Sequence, residues 1–353
     1  MIWTDIRDLR IEGQGWTDTK APFDRLPARA EGIVRDVVWD LSRHSAGLCV
    51  KFKTDAQEIH ARWTLTLDRL ALSHMPATGV SGLDLYIDTP DGPSWAGVGR
   101  PETLPDVETA LVSGMIEGEK SCTVYSPLYN GVSSVEIGIP DGSSIAATER
   151  ASDRQSVAFY GTSITHGACA SRTGTNHVAR VGRQLDCETL NLGFSGNGMM
   201  DAEVAGFLAE LDPDLFVIDC LPNMTAELVT ERAANLVTTI RRERPDTPIL
   251  LVEDRTYGDS AFVVSRRGRN ETNRKALQDV YAGLKDVEGI HYLEGATLLG
   301  GDDTVDGSHP TDLGFKRQAD KFVEKISEIL SGRNQSPALF SPVLPFVLWE
   351  CLA

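Results

Sequence analysis

Hydrophobic positions along this chain change their rhythm near residue 150. Before it, short alternating or β-branched runs recur at Ile33–Leu41, Leu48–Phe52, Ile59–Leu65, Leu83–Ile87, Ser121–Tyr125 and Ser134–Ile139. Turn clusters such as Thr89-Pro-Asp-Gly-Pro-Ser and Pro140-Asp-Gly-Ser-Ser break them. Short strands at this spacing, with no helical period between them, predict an all-β sandwich over residues 1–150. Ala146–Gln155 is small, polar and charged, and reads as a linker. Beyond it, apolar runs at Val157–Tyr160, Thr189–Leu192, Leu215–Ile218, Ile249–Val252 and Ile290–Leu293 alternate with amphipathic stretches. Those stretches lie near Asn176–Leu185, Ala202–Leu211, Ala226–Arg244, Glu271–Leu284 and Asp312–Leu330. Strands alternating with helices predict a parallel sheet covered on both faces, over 153–332. The last stretch, 333–353, is apolar and carries three prolines, which argue against a helix.

Composition narrows the partners. Acidic residues outnumber basic ones, 51 against 34, for a net charge of −17. Such a field disfavours nucleic acid and anionic membrane surfaces and suits a neutral small-molecule substrate. No apolar run is long enough for a membrane helix, and Met1–Asp8 lacks the pattern of a signal peptide, so a cytoplasmic location is expected. Six scattered cysteines show no zinc spacing and fit free thiols in a reducing compartment; neither a metal nor a cofactor is expected. Whether the chain forms a homo-oligomer is left open. Five of the six tryptophans (3, 16, 39, 63, 95) precede residue 150. They suit the sandwich core or its contact with the second half better than a carbohydrate-binding face.

Candidate chemistry gathers where strands hand over to loops. Ser163 follows the run Val157–Tyr160 across Gly161 and Thr162, at the sheet edge where open α/β folds keep their sites. Asn191-Leu-Gly-Phe-Ser-Gly-Asn-Gly198 follows the second strand, and its glycines let backbone N–H groups approach a ligand. Asn223, in Asp219-Cys-Leu-Pro-Asn-Met224, follows the third. Asp306-Gly-Ser-His-Pro310 precedes the last helix, and its spacing lets the Asp306 carboxylate reach the His309 ring. A nucleophile, a base, a group orienting the base and oxyanion donors are what a serine hydrolase requires.

This ordered set resembles the SGNH (GDSL-type) hydrolase family, whose blocks supply Ser, Gly, Asn and His. The resemblance implies Ser163 as nucleophile, His309 as base and Asp306 as its partner. It implies an oxyanion hole made by the Ser163 and Gly196 N–H groups and the Asn223 side chain. Gly82-Leu-Asp-Leu-Tyr86 is similar to the Gly-x-Asp-Leu-Tyr signature of a β-sandwich found ahead of some of these hydrolases, and Gly161-Thr-Ser-Ile-Thr and Cys169-Ala-Ser-Arg172 also match that subgroup. The implied fold is a flavodoxin-like three-layer α/β/α domain behind a jelly-roll-like sandwich. The implied activity is a serine esterase acting on short-chain, acetyl-type esters of sugars or small polyols. An acyltransferase on the same residues and a non-catalytic carbohydrate-binding protein are the alternatives. Arg172, Glu253, Asp254, Arg255 and His74 are candidates for substrate binding.

Overall fold

The computed structural model describes residues 1–149, 151 and 154–333. The tail expected from 333 on lies, beyond Arg333, outside the described residues. In chain order the first ten strands are β1 (Ile2–Asp5), β2 (Arg10–Glu12), β3 (Cys49–Thr54), β4 (Glu58–Leu65), β5 (Leu83–Thr89), β6 (Gly92–Gly99), β7 (Asp106–Ser113), β8 (Lys120–Tyr125), β9 (Val132–Ile139) and β10 (Ile145–Ala147). They form two antiparallel sheets, ordered β1-β9-β4-β7 and β10-β3-β8-β5-β6, with β2 added on β3. Strict alternation along β4 turns Ile59, Ala61, Trp63 and Leu65 inward, against Phe52, Leu85, Val124 and Ile137. The result is the β-sandwich expected from the sequence.

Two expectations need correction here. The run Ile33–Leu41 is not a strand: Asp36–Ser42 forms a helix, α1. Its β-branched residues suggest extension, yet Val34, Val38 and Trp39 pack on one side into the core of the second half. Tertiary burial overrides local propensity. The expected linker is also partly structured, because Ile145–Ala147 pairs antiparallel with Thr54–Phe52. A second short helix, α2 (Ala77–Val80), stands between β4 and β5. Strands β6 and β7 were not legible as strands; β6 reads Gly-Pro-Ser-Trp-Ala-Gly-Val-Gly, a composition depleted in strand formers.

The second half alternates as expected: β11 (Ser156–Gly161), α3 (Ser163–His166), α4 (His177–Leu185), β12 (Glu188–Gly193), α5 (Ala202–Glu210), β13 (Leu215–Asp219), α6 (Ala226–Glu243), β14 (Ile249–Val252), α7 (Val264–Gly283), β15 (Ile290–Leu293) and α8 (Asp312–Arg333). All five strands are parallel, in the order β12-β11-β13-β14-β15. This is the doubly wound arrangement, and the strand order reverses at β11, so a crevice opens where β11 and β13 end. Val157, Phe159, Val217 and Leu250 face Phe322 and Ile326 of α8 on one side of the sheet. Ala158, Tyr160, Phe216 and Ile218 face α5 and α6 on the other, where Trp16, Leu26 and α1 from the first half complete the layer. No helix of the described residues is long and apolar enough to cross a membrane.

Candidate active site

Strand β11 ends at Gly161, where the chain is too crowded for a side chain: a Cβ would sit 2.1 Å from Thr165 Oγ1 and 2.8 Å from the Asp219 carbonyl. Thr162 then caps the one-turn helix α3, its Oγ1 accepting the Ile164 N–H at 3.3 Å. Ser163 is the first residue of that turn. Its carbonyl accepts N–H groups from Gly167 and Ala168, both at 2.9 Å. The backbone is thereby fixed, and the Ser163 hydroxyl stands at the carboxyl edge of the sheet.

The loop before α8 brings the other two groups to it. His309 Nε2 lies 2.9 Å from Ser163 Oγ, and His309 Nδ1 lies 2.7 Å from Asp306 Oδ2. Asp306 Oδ1 also accepts the backbone N–H groups of Ser308 at 3.0 Å and His309 at 2.8 Å. Partial burial raises the Asp306 pKa, but these donors together outweigh it and hold the carboxyl down at about 2. With an anion fixed at Nδ1–H, the opposite nitrogen is the acceptor facing the serine. Two backbone bonds steady the loop, Val305 N–H to His309 O at 2.9 Å and Thr311 N–H to Asp303 O at 2.7 Å.

Candidate oxyanion donors surround the same strand ends. After β12, the Asn197 and Gly198 N–H groups return to Phe194 O, at 2.8 and 3.0 Å, and close a tight turn around the exposed Gly196. Gly196 has φ +70°. Among the described residues, the N–H groups of Ser163 and Gly196 have no backbone partner. Gly198 packs so closely on β11 that a Cβ would lie 2.1 Å from Gly161 O. Its N–H donates to Asn223 Oδ1 at 3.3 Å, which orients the amide and leaves the Asn223 NH2 to donate elsewhere. One hydrogen bond therefore joins the loops after β12 and β13, beside the nucleophile turn.

The residues put forward for substrate binding divide sharply. His74 is exposed on the sandwich loop, and its ring centre lies 6.1 Å from that of His309, so the first half reaches the mouth of the site. The acidic and basic residues after β14 do not line it. Glu253 is buried and accepts from Tyr292 Oη at 2.7 Å, Gln278 Nε2 at 2.8 Å and Gly295 N at 2.9 Å. Arg255 is buried as well, forked on the Asp219 carboxylate and bonded to Gln318 of α8 at 2.7 Å. Asp219 in turn accepts Thr165 Oγ1 at 3.2 Å, so this pair braces the nucleophile turn from below. Burial, opposed by Arg255, Arg269 and Arg274, pushes the Asp254 carboxyl up to about 6. Arg172 is bonded to Asp84 at 2.8 Å and lies over Trp95 rather than beside the triad. These four are corrections. A charged loop read from sequence as facing substrate is folded inward: Glu253 and Arg255 meet partners far away in the chain, and Asp254 Oδ2 is buried without a hydrogen-bond partner among the described residues.

Other neighbours carry no motif and were missed. The Tyr129 ring stacks on His166 with ring centres 4.2 Å apart, and its hydroxyl lies 3.1 Å from Ser195 Oγ and 3.4 Å from the Ser163 carbonyl. His166 is fully buried; its Nε2 donates to Leu128 O at 2.6 Å, and His44 Nδ1 lies 3.4 Å from it. Burial, reinforced by Arg25, depresses the pKa of both imidazoles, that of His44 to about 3. Arg25 is buried and donates to the carbonyls of Leu41, His44, Asn191 and Gly193 at 2.6–2.8 Å. Cys169, close to the nucleophile in sequence, is a buried thiol that desolvation pushes up to about 12, the opposite of an activated nucleophile.

Comparison with known proteins gives a consistent set of likenesses. A family model described as the GDSL-like lipase/acylhydrolase family matches residues 154–327. A second, the N-terminus of SGNH-hydrolase-type esterases, matches residues 1–145. A comparison with curated proteins gives no match. Among solved structures, a protein from Bacteroides ovatus described as a GDSL-like lipase is 34% identical, with a TM-score of 0.89, covering 94% of this chain and 98% of that one. The salicylyl-acyltransferase SsfX3 of a tetracycline biosynthetic pathway shares the fold at 17% identity and TM-score 0.75, covering 93% and 97%. An acetyl xylan esterase from the rumen bacterium Butyrivibrio proteoclasticus does so at 13% and 0.58, covering 94% and 100%.

Proposed function

The chain belongs to the GDSL-like lipase/acylhydrolase family and is a serine hydrolase, and on that premise we propose that it cleaves short-chain acyl esters of carbohydrates or small polyols through an acyl-enzyme on Ser163. The observation that carries this reading is the continuous relay from Ser163 Oγ through His309 to Asp306, at 2.9 and 2.7 Å. His309 Nε2 takes the hydroxyl proton as Ser163 Oγ attacks the acyl carbonyl. The imidazolium that forms is stabilised by Asp306, whose low pKa keeps it ionised through any neutral or mildly acidic working range. The Ser163 and Gly196 N–H groups and the Asn223 amide receive the oxyanion. Collapse passes the proton from His309 to the departing sugar hydroxyl, and water then repeats the sequence on the acyl-enzyme.

The sandwich, taken as residues 1–150, supplies one wall of the entrance. His74 is its substrate-facing residue and contacts the alcohol side of the ester. The acetyl-type assignment draws on the acetyl xylan esterase that shares this fold. Acyl transfer to an alcohol is the second reading, favoured by the fold shared with SsfX3 over nearly the whole chain.

The test is hydrolysis of p-nitrophenyl acetate, butyrate and octanoate. Acetate should be cleaved fastest, and Ser163→Ala should lose at least about 10^4-fold in kcat/KM. Asn223→Ala should lose about 10^2-fold, in kcat rather than KM. A variant at Ser163 that keeps its activity would remove the serine from the mechanism. Acylated product in place of free acid, when a sugar acceptor is added, would move the reading to transfer.

A further inference from the structure

The β5–β6 hairpin of the sandwich overhangs α4 and α8 and leaves an open cleft of about 690 Å³. It is separate from the triad: Val323 on its floor lies eleven residues into α8, roughly 16 Å along the helix from the end that follows His309. Tyr86 and Trp95 line the hairpin side, Arg172, Arg180 and Arg183 the other, and Asp91 the rim.

Three guanidinium groups share this cleft in a chain of net charge −17, and among the described residues one of the three, Arg172, is ion-paired to a carboxylate. Arg172 holds Asp84 at 2.8 Å, and that buried carboxylate also accepts the Trp95 indole N–H at 2.9 Å and the Gly174 N–H at 3.0 Å, so most of its acceptor sites are taken. Arg183 donates to Gly174 O at 2.7 Å and spreads over the Tyr86 ring at 3.9 Å. Arg180 commits only its Nε, to Thr175 O at 2.7 Å; its two outer nitrogens have no hydrogen-bond partner among the described residues. Burial, and then the neighbouring Arg183, depress the Arg180 pKa, against the weaker opposite pull of Tyr86 and Asp312. Beside these groups Trp95 is 52% exposed, with the Arg172 guanidinium over one face of its ring at 4.7 Å.

We propose that this cleft is a second binding site, for a saccharide unit bearing a carboxylate, with the acid on Arg180 and the free edge of Arg172 and the sugar face on Trp95. A guanidinium fork matches a planar carboxylate, and an aromatic face matches the C–H face of a pyranose. Asp91 on the rim and the overall negative field oppose the concentrated double charge of a phosphate more than a uronate, which carries one charge per sugar unit. The open form of the cleft suits one unit of a longer glycan. This assignment rests on the cleft and not on turnover at Ser163.

Calorimetric titration of the full chain with digalacturonate at low ionic strength tests it, alongside the neutral disaccharide of the same linkage and inorganic phosphate. Digalacturonate should bind, and more weakly as salt is added. Arg180→Gln should weaken binding about tenfold and Arg180→Lys less, because the lysine keeps the charge and loses the fork. Trp95→Ala should weaken it comparably, and Ser163→Ala should bind as the parent does. Absence of binding overturns the proposal, as does equal affinity for the neutral disaccharide or for phosphate. So does unchanged affinity in Arg180→Gln and Trp95→Ala proteins whose thermal unfolding shows them folded.

Discussion

Two of the seams along which the sandwich meets the α/β layers manage charge in opposite ways. Beside the nucleophile, the contact is made by Tyr129, His44 and His166, with Arg25 beneath them. Its one buried cation is satisfied by four backbone carbonyls, and the imidazoles near it are kept neutral. Along the far seam, three arginines meet one carboxylate and three aromatic rings, and cationic edges are left open. On the mechanism proposed above, the contrast has a catalytic logic. A mobile positive charge beside Ser163 would compete with the imidazolium of His309 for Asp306, whereas charge on the far seam is free to serve recognition.

The comparison can be broken most forcefully at Arg25. Arg25→Met strands four buried carbonyls, and urea unfolding should show a loss of about 3–5 kcal/mol. Because two of those carbonyls belong to Asn191 and Gly193, at the base of the Gly196 turn, kcat should fall as well. At the far seam, Arg172→Gln leaves the buried Asp84 with only neutral donors and should cost about 2 kcal/mol at neutral pH. Burial already raises the Asp84 pKa, against the pull of Arg172, so the loss should shrink in acid as the carboxyl takes up a proton. If Arg172→Gln proved the more damaging of the two, the assignment of roles to the seams would be reversed.

Acid sharpens the same contrast. His44 has a folded pKa near 3 against 6.5 in the unfolded chain, so its contribution to stability is complete above pH 6.5 and is lost as pH falls toward 3. At pH 5 this one group should have removed about 2 kcal/mol, and unfolding midpoints of His44→Gln should vary correspondingly less between pH 7.5 and 5. The smallest effect is expected from Tyr129→Phe, about 1 kcal/mol, with a modest fall in kcat as the Ser163 carbonyl and Ser195 lose a neighbour. No fall in kcat would reduce that hydroxyl to packing.

Much of the second half was legible in sequence. Its strands are continuous apolar runs because both faces of the sheet are covered, and its helices show the amphipathic period that such covering demands. That Ser163, His309 and Asp306 would come together was legible too, since each stands at a strand end or just before a helix. The hidden parts all depend on contacts between distant segments. Val34, Val38 and Trp39 form a helix because of what they pack against, not because of their own preferences. Glu253 and Arg255 were read as facing substrate because nothing local reveals that Tyr292, Gly295, Asp219 and Gln318 await them. His44, Tyr129 and His166 come from three separate stretches and meet only in the fold.

The placement of Trp16, Leu26 and α1 in the core of the second half bears on how such a protein can be inherited. Two units joined like beads could be shuffled between genes, each bringing its own finished interior. Here the hydrolase layer is completed by a strap borrowed from the first forty-two residues. A gene rearrangement that cut the chain near residue 150 would separate a catalytic sheet from part of its covering and leave an apolar face bare. Selection is then expected to pass the two halves on as one inseparable piece.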